Sequence, residues 1–250
     1  MLFRSVNNKL LLEGGWSALF LNVHSIQMPE VRTGDIQITD VGLNTIYGSA
    51  QGTLARYQAN QNGRFSVSYV TGSHAVKVGT RYQHVTFNKP GLYPDPVNGI
   101  MGGRTYTFRN GVPQSVTIYN QPFNTIERTN TIGLFAQDQW TISNLTLNLG
   151  VRYDAFNGHT PDVTIPAGLF VPERKFAAVK DAPNYKNLNP RVSGVYDVFG
   201  NGKTAIKGGF GKYLMGQGGA LSQQGFAKSV AIVTSAGRSW SDANGNFTPD

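Results

Sequence analysis

Apolar and polar residues alternate along this chain over long runs, and a period of two is what a strand with one apolar and one polar face requires. The cleanest run is Leu145 to Asp154: Leu145, Leu147, Leu149, Val151 and Tyr153 share one face, and Thr146, Asn148, Gly150, Arg152 and Asp154 the other. The run before it, Thr131 to Ile142, sets Ile132, Leu134, Ala136, Trp140 and Ile142 against Gly133, Gln137, Gln139 and Thr141, with Asp138 interrupting the apolar face near its end. Only Ser143-Asn144 lies between them, which predicts a tight hairpin. Arg64 to Val70 and Val76 to Gln83 repeat the arrangement around Thr71-Gly72-Ser73-His74. Arg191 to Val198 and Thr204 to Tyr213 repeat it around Gly200-Asn201-Gly202-Lys203. A fainter strand is expected around Trp16 to His24.

The other connections are long. Residues 27–52 join the first two strands, and residues 88–125 contain a hairpin of their own, Arg104–Phe108 and Ser115–Tyr119 around Asn110-Gly111. Residues 158–187 hold Pro161, Pro166, Pro172 and Pro183, and residues 216–250 are rich in Gly, Ser and Gln. Tight turns and long loops therefore alternate, as they do in a transmembrane β-barrel with short periplasmic turns and long extracellular loops. The expected strands of about 10–15 residues exceed the ~5–6 typical of soluble sheets. The expected fold is all-β, part of a large antiparallel transmembrane β-barrel. Trp16, Trp140, Tyr153, Phe156, Tyr196, Phe199 and Tyr213 suit the aromatic girdles of such a barrel, though each is also an ordinary strand former. The alternative is a secreted soluble β-sandwich that binds carbohydrate.

Composition sharpens this picture. Charged residues make up 14% of the chain, against about 25% in typical soluble domains. The balance goes to Gly, Asn, Thr, Ser and Gln, which are poor for helices and good for strands and turns. The absence of cysteine excludes a disulfide framework, a Cys-based zinc site and a thiol nucleophile. No run approaches the ~18 apolar residues of a membrane helix. The formal charge of +8 arises because 22 Lys and Arg face only 14 Asp and Glu. The cations are scattered rather than blocked, so no nucleic-acid partner is expected. The opening Met1-Leu-Phe-Arg-Ser5 resembles a translated sequencing adapter, and the chain stops at Thr248-Pro-Asp250 within a turn-like stretch. We therefore expect a piece of a longer protein, with residues 1–5 extraneous and 6–250 as barrel.

Gly133-Leu-Phe-Ala-Gln-Asp-Gln-Trp140 followed by Leu145-Thr-Leu-Asn-Leu-Gly-Val-Arg-Tyr-Asp154 resembles the barrel of TonB-dependent outer-membrane receptors. Asn189-Pro-Arg-Val-Ser193 and Lys203-Thr-Ala-Ile-Lys-Gly-Gly-Phe-Gly-Lys-Tyr213 resemble the next hairpin of that pattern. Gly72-Ser-His-Ala-Val-Lys-Val-Gly79 and Trp240-Ser-Asp-Ala-Asn-Gly-Asn246 are similar to the Oar-like branch. The resemblance implies roughly eight to ten strands of a plugged barrel of about 22. The plug, the N-terminal extension and the C-terminal strands of the family are not among these residues. It further implies TonB-dependent active transport of a scarce or bulky extracellular solute across the Gram-negative outer membrane. The implied partners are outer-membrane lipid and, through the plug, the TonB-ExbB-ExbD system. A passive outer-membrane channel or an adhesin barrel is the alternative within the same fold.

The cations on the predicted polar faces, Lys77, Arg81, Arg152, Arg191 and Lys207, are the candidate lumen-facing residues, set to tune selectivity or touch the plug. Their plainer reading is solvation beside acids such as Asp154 and Asp197. Asp242, Asn244, Asn246 and Asp250 bring oxygen ligands at a calcium-like spacing, but Gly245 is fourth and Phe247 sixth where the helix-loop-helix site needs glycine sixth. An Asn-Gly turn explains that segment more simply, and no metal is expected. His24, His74, His84 and His159 have no metal-ligand spacing, and His74 is placed in an exposed turn. With no G-x-S-x-G elbow and no P-loop, neither catalysis nor a cofactor is expected.

Overall fold

The computed structural model describes residues 2–24, 28–32, 35–49, 53–92, 103–120, 123–168, 170–215 and 233–249. Its strands in chain order are β1 (Leu2–Ser5), β2 (Leu10–His24), β3 (Ile38–Asp40), β4 (Thr45–Tyr47), β5 (Thr53–Thr71), β6 (His74–Leu92), β7 (Arg104–Arg109) and β8 (Val112–Tyr119). They continue as β9 (Phe123–Ile142), β10 (Leu145–His159), β11 (Val163–Ile165), β12 (Arg174–Phe176), β13 (Asn184–Asp197), β14 (Ala205–Gly211) and β15 (Ser235–Ser239). No helix occurs among the described residues.

Eight strands form one antiparallel sheet in the order β1-β2-β5-β6-β9-β10-β13-β14. The hairpins expected at Ser143-Asn144, at Gly72-Ser73 and between β13 and β14 are its tight turns. Its register is unbroken through the central pairs, from Phe123↔Gly91 to Trp140↔His74 and from Arg128↔His159 to Ile142↔Leu145. The sheet is open. Beyond Gly14 the outer edge of β2 has no partner among the described residues, and neither has that of β14.

Register sorts the side chains into two faces. Leu12, Val67, Val78, Ala136, Val151 and Pro190 follow one another across the sheet on the apolar face. On that face Phe65, Val78, Leu134, Val151, Val192 and Phe210 are exposed. A patch of this extent suits lipid, not water. Along β10 the face is apolar from Leu145 to Ala155, after which it turns to Asn157 and His159. Ten steps of about 3.4 Å, tilted by about 40–45°, give roughly 25 Å, the height of the apolar band of an outer-membrane barrel.

Several expectations need correction. The early strand starts at Leu10 rather than Trp16, because Glu13, Gly14 and Gly15 blur an alternation that pairing with β5 restores. His74 is the first residue of β6, not part of the turn, since Gly72 at φ 54° lets the chain reverse in two residues. Its Nδ1 lies 2.6 Å from Asp138 Oδ2 and its ring stacks on Trp140 at 5.2 Å, which accommodates the acid that interrupts the apolar face. Phe156 is not a girdle residue, being buried against Tyr185 on the polar face, and the Arg191 guanidinium lies 4.5 Å over the exposed Tyr213 ring.

The long connections are also more ordered than turn chemistry alone foretells. Parts of residues 25–52, 93–122 and 212–250 combine into a second sheet, β15-β8-β7-β3-β4. Tyr106, Phe108, Val116 and Trp240 form its buried core, with Ile36, Ile38 and Ile118 packed around them. Asp40, fully buried, clasps two loops together. Its Oδ1 accepts the N–H groups of Gly42 (2.9 Å), Leu43 (3.0 Å) and Asn110 (2.9 Å), and its Oδ2 accepts that of Gly111 (2.7 Å). Burial alone would raise the pKa of this carboxyl, but the N–H bonds, led by Gly111, together outweigh it and hold the pKa below the ordinary 3.8. A β11–β12 hairpin from the connection between β10 and β13 lies against β9 at the same end of the sheet.

Two outcomes follow. Val151→Arg, in the middle of the apolar band, should destabilise the full-length protein in phospholipid vesicles by about 2–4 kcal/mol, whereas Gln137→Arg on the opposite face should cost far less; urea titration of both checks this. The depressed pKa of Asp40 contributes stability above about pH 3.8 that is lost as pH falls through the lower folded value. Pepsin should therefore cut within residues 35–49 and 103–120 at pH 2 but spare them at pH 4.5, with the main sheet intact. Asp40→Ala should open the same loops to trypsin at neutral pH.

Candidate functional site on the polar face of the sheet

The polar face carries Arg56, Arg64, Lys77, Arg81, Lys89, Arg152, Arg191 and Lys207 against Glu13, Glu127, Asp154 and Asp197. All five cations expected to face a lumen therefore project to the same side. The hollows of the sheet open there too. One of about 610 Å³ is lined by Lys77 and Arg191 together with Gln137, Gln139, Asn148 and Ser193. A smaller one joins Arg191 to Arg152, Phe135 and Gln137. Arg81 lies in a separate hollow beside Arg64. Lys207 stands opposite Val195 near the β13–β14 turn, apart from the others.

The centre of the face is a bonded network. Asp154, buried, accepts both oxygens' bonds from Arg152 Nε at 2.8 and 2.9 Å, with Arg152 Nη2 also at 2.8 Å from Oδ1. Its Oδ2 accepts a further bond from Nδ2 of the buried Asn189 at 2.9 Å. Gly133 lies directly opposite Asp154 on the adjacent strand. A Cβ there would meet the end of the Arg152 guanidinium, so any larger residue requires the fork to shift. A second cluster lies two strands away, where Glu13 Oε2 accepts bonds from Lys77 Nζ and from Ser66 Oγ at 3.0 Å. Lys77 and Arg152 thus have acids of the wall itself as partners. Asp197 accepts the Gly202 N–H at 2.7 Å and serves its turn.

The segment 242–249 folds as a turn. Asp242 accepts the N–H groups of Asn246 and Phe247 at 3.1 Å each, and Asn244 Oδ1 also accepts that of Asn246 at 3.0 Å. The ring of Phe247 stacks on Phe108 at 6.1 Å, which docks this turn on the loop-sheet core. Asp250 lies outside the described residues. Among the histidines, His24 bonds Tyr57 at 2.8 Å, and His84 bonds Asn130 at 2.8 Å.

Sequence reasoning missed Glu13, Arg64 and Asn189 as members of this face. Arg64 could have been found, since it keeps phase with Ser66 and Ser68. Asn189 precedes a proline and sits where the alternation of β13 begins, so nothing local marks its side chain as buried. Asp154→Asn should remove the charge that answers a half-buried Arg152 and cost about 3 kcal/mol. Gly133→Ala should lose about 1–3 kcal/mol by pushing the guanidinium off its partner. Urea midpoints of the full-length protein in vesicles, with Ser68→Ala as the neutral reference, check both.

With this geometry in hand, comparison with known proteins is direct. The family described as "Outer membrane beta barrel domain" matches residues 12–249. The chain is also similar to a TonB-dependent transporter, Oar, of Myxococcus xanthus, at 28% identity over 202 residues, covering 74% of this chain. The chain spans 17% of the length of that relative.

Proposed function

Since the chain belongs to the family of outer membrane β-barrel domains, we propose that it supplies part of the barrel of a TonB-dependent active transporter. Its location is the outer membrane, where the apolar face meets lipid. In this reading the polar face lines the lumen, and the second sheet forms part of the extracellular surface that first meets a scarce or bulky solute. Energy relayed through TonB-ExbB-ExbD would act on a plug carried elsewhere in the full-length protein. The observation that carries the reading is the joint one of an apolar face, tight turns at one end, folded loops at the other, and similarity to a TonB-dependent transporter over most of the chain. Lys77, Arg81, Arg152, Arg191 and Lys207 are proposed as lumen wall. Lys77 and Arg152 are chiefly structural there, because Glu13 and Asp154 neutralise them. A non-catalytic role fits the same similarity.

The test is to express the full-length gene with its own signal in a Gram-negative host and examine the outer-membrane fraction. A heat-modifiable barrel that crosslinks to TonB and shows no steady conductance in planar bilayers is the expected result. Steady open-pore conductance without a TonB crosslink would replace the proposal with a passive channel. Recovery as a soluble periplasmic or secreted monomer would overturn the membrane reading itself.

A further inference from the structure

The lipid-facing side of the sheet changes character along one line. On β9 its positions run Ile142, Trp140, Asp138, Ala136, Leu134 and Ile132, and then become Asn130 and Arg128. Register carries the change across the neighbouring strands. The last apolar row holds Tyr82, Ile132 and Ala155. The next holds His84, Asn130, Asn157 and Asn184, and the one beyond it Thr86, Arg128 and His159. Lys186, opposite Ala155, marks the same line on β13. Tyr82 stands at the boundary, its hydroxyl 3.4 Å from Asn130 Oδ1, as an interfacial tyrosine does. The two polar rows lie about 5 and 10 Å beyond the apolar band, the depth of a headgroup layer.

Arg128 is the fixed charge at the centre of this belt. It is exposed, forms no ion pair among the described residues, and stands between Thr86 and His159 in register. His159 lies at the loop end of β10, outside the apolar band. Burial first, then positive charge on Arg128 and His84, hold its pKa below the ordinary 6.5, against the opposing pull of Asp181. Cationic groups are therefore close enough here to repel one another. Asp181 is already engaged, accepting bonds from the amides of Asn157 at 2.6 Å and Asn184 at 3.0 Å. The belt is also uncovered. Thr125, Glu127 and Thr129, on the opposite face of β9, are buried at the end where the β11–β12 hairpin packs, whereas Arg128 among them stays open.

We propose that Arg128, with His84, His159 and Lys186 around it, forms a site on the outside of the barrel for the phosphate of a lipid headgroup. Position selects a lipid over a soluble anion. The belt continues the apolar band without a break, so a lipid whose chains lie on Ile132, Leu134 and Tyr153 sets its headgroup there. The guanidinium presents paired N–H donors that match phosphate oxygens. The Thr86 hydroxyl and the imidazoles add donors at the same level. Basic residues beside a membrane surface draw anionic headgroups to them. The bound phosphate relieves the repulsion among the cationic groups and anchors the loop end of the wall at a fixed depth. The site depends on the apolar face meeting lipid, and not on the transport reading.

The experiment adds phosphatidic acid to purified full-length protein in a neutral detergent and counts bound lipid by native mass spectrometry. Diacylglycerol with the same chains is the uncharged counterpart. Phosphatidic acid should be retained and diacylglycerol lost. Arg128→Gln should weaken retention about tenfold or more, and Lys186→Gln by a smaller factor. Arg128→Lys should recover part of the loss, and Lys175→Gln on an exposed loop should change nothing. Retained heat-modifiability shows that each variant has folded, and if Arg128→Gln loses it, Arg128→Lys and Lys186→Gln carry the comparison. Equal retention by the wild type and the folded variants overturns the proposal, as does equal retention of the two lipids. Displacement of phosphatidic acid by an equal concentration of inorganic phosphate would mark a soluble-anion site and overturn the lipid assignment. TonB takes no part in the measurement, so a passive channel could hold the same site, and a failed site would leave the transport reading standing.

Discussion

Everything in this fold follows from the cost of leaving a peptide group unpaired in hydrocarbon, which amounts to several kcal/mol for each group. Strands can meet that constraint only by pairing with neighbours along their whole embedded length. The long unbroken ladders of β5, β6, β9 and β10 are the result. Because pairing is continuous, register is rigid, and a slip of one residue would exchange the two faces. Val151 would then leave on the polar face and Arg152 on the apolar one. The apolar band and the bonded network on the polar face are thus one solution seen from two sides.

The network explains why three separated segments look as they do. Gly133 on β9, Arg152 and Asp154 on β10 and Asn189 on β13 are distant in the chain, yet register brings them to adjoining strands. The glycine makes space, the acid holds the fork, and the amide occupies the remaining oxygen lone pairs. A charged pair at this depth is costly unless its bonds are made on all sides. Removing any one member leaves another with an unmet demand, so these residue types occur together.

Much of the architecture was legible where one strand carried its own signal. Leu145 to Asp154 alternates without a fault, and Asn110-Gly111 has the positive φ values, 53° and 80°, that such a pair adopts in a tight hairpin. Legibility failed where a residue's role depends on a partner far along the chain. Glu13 interrupts an alternation and looks like noise until β5 and β6 bring Ser66 and Lys77 beside it. Asp138 looked like a defect in an apolar face until His74 was placed next to it. Of the second sheet only the β7–β8 hairpin was expected from sequence, because β3, β4 and β15 are too short to show any periodicity.

That second sheet carries a temporal consequence. Asp40 is bonded to N–H groups that lie 70 and 71 residues further along the chain, and the core beside it waits for Trp240. Contacts of such separation form late, since the intervening chain must first be confined. The outer sheet can close only after the strands between its pieces have been threaded and zipped in order. Until then a carboxylate and several aromatic rings stand open to water and to proteases. Closure of the clasp therefore depends on the intervening strands having met, which ties the order of the loops to that of the main sheet.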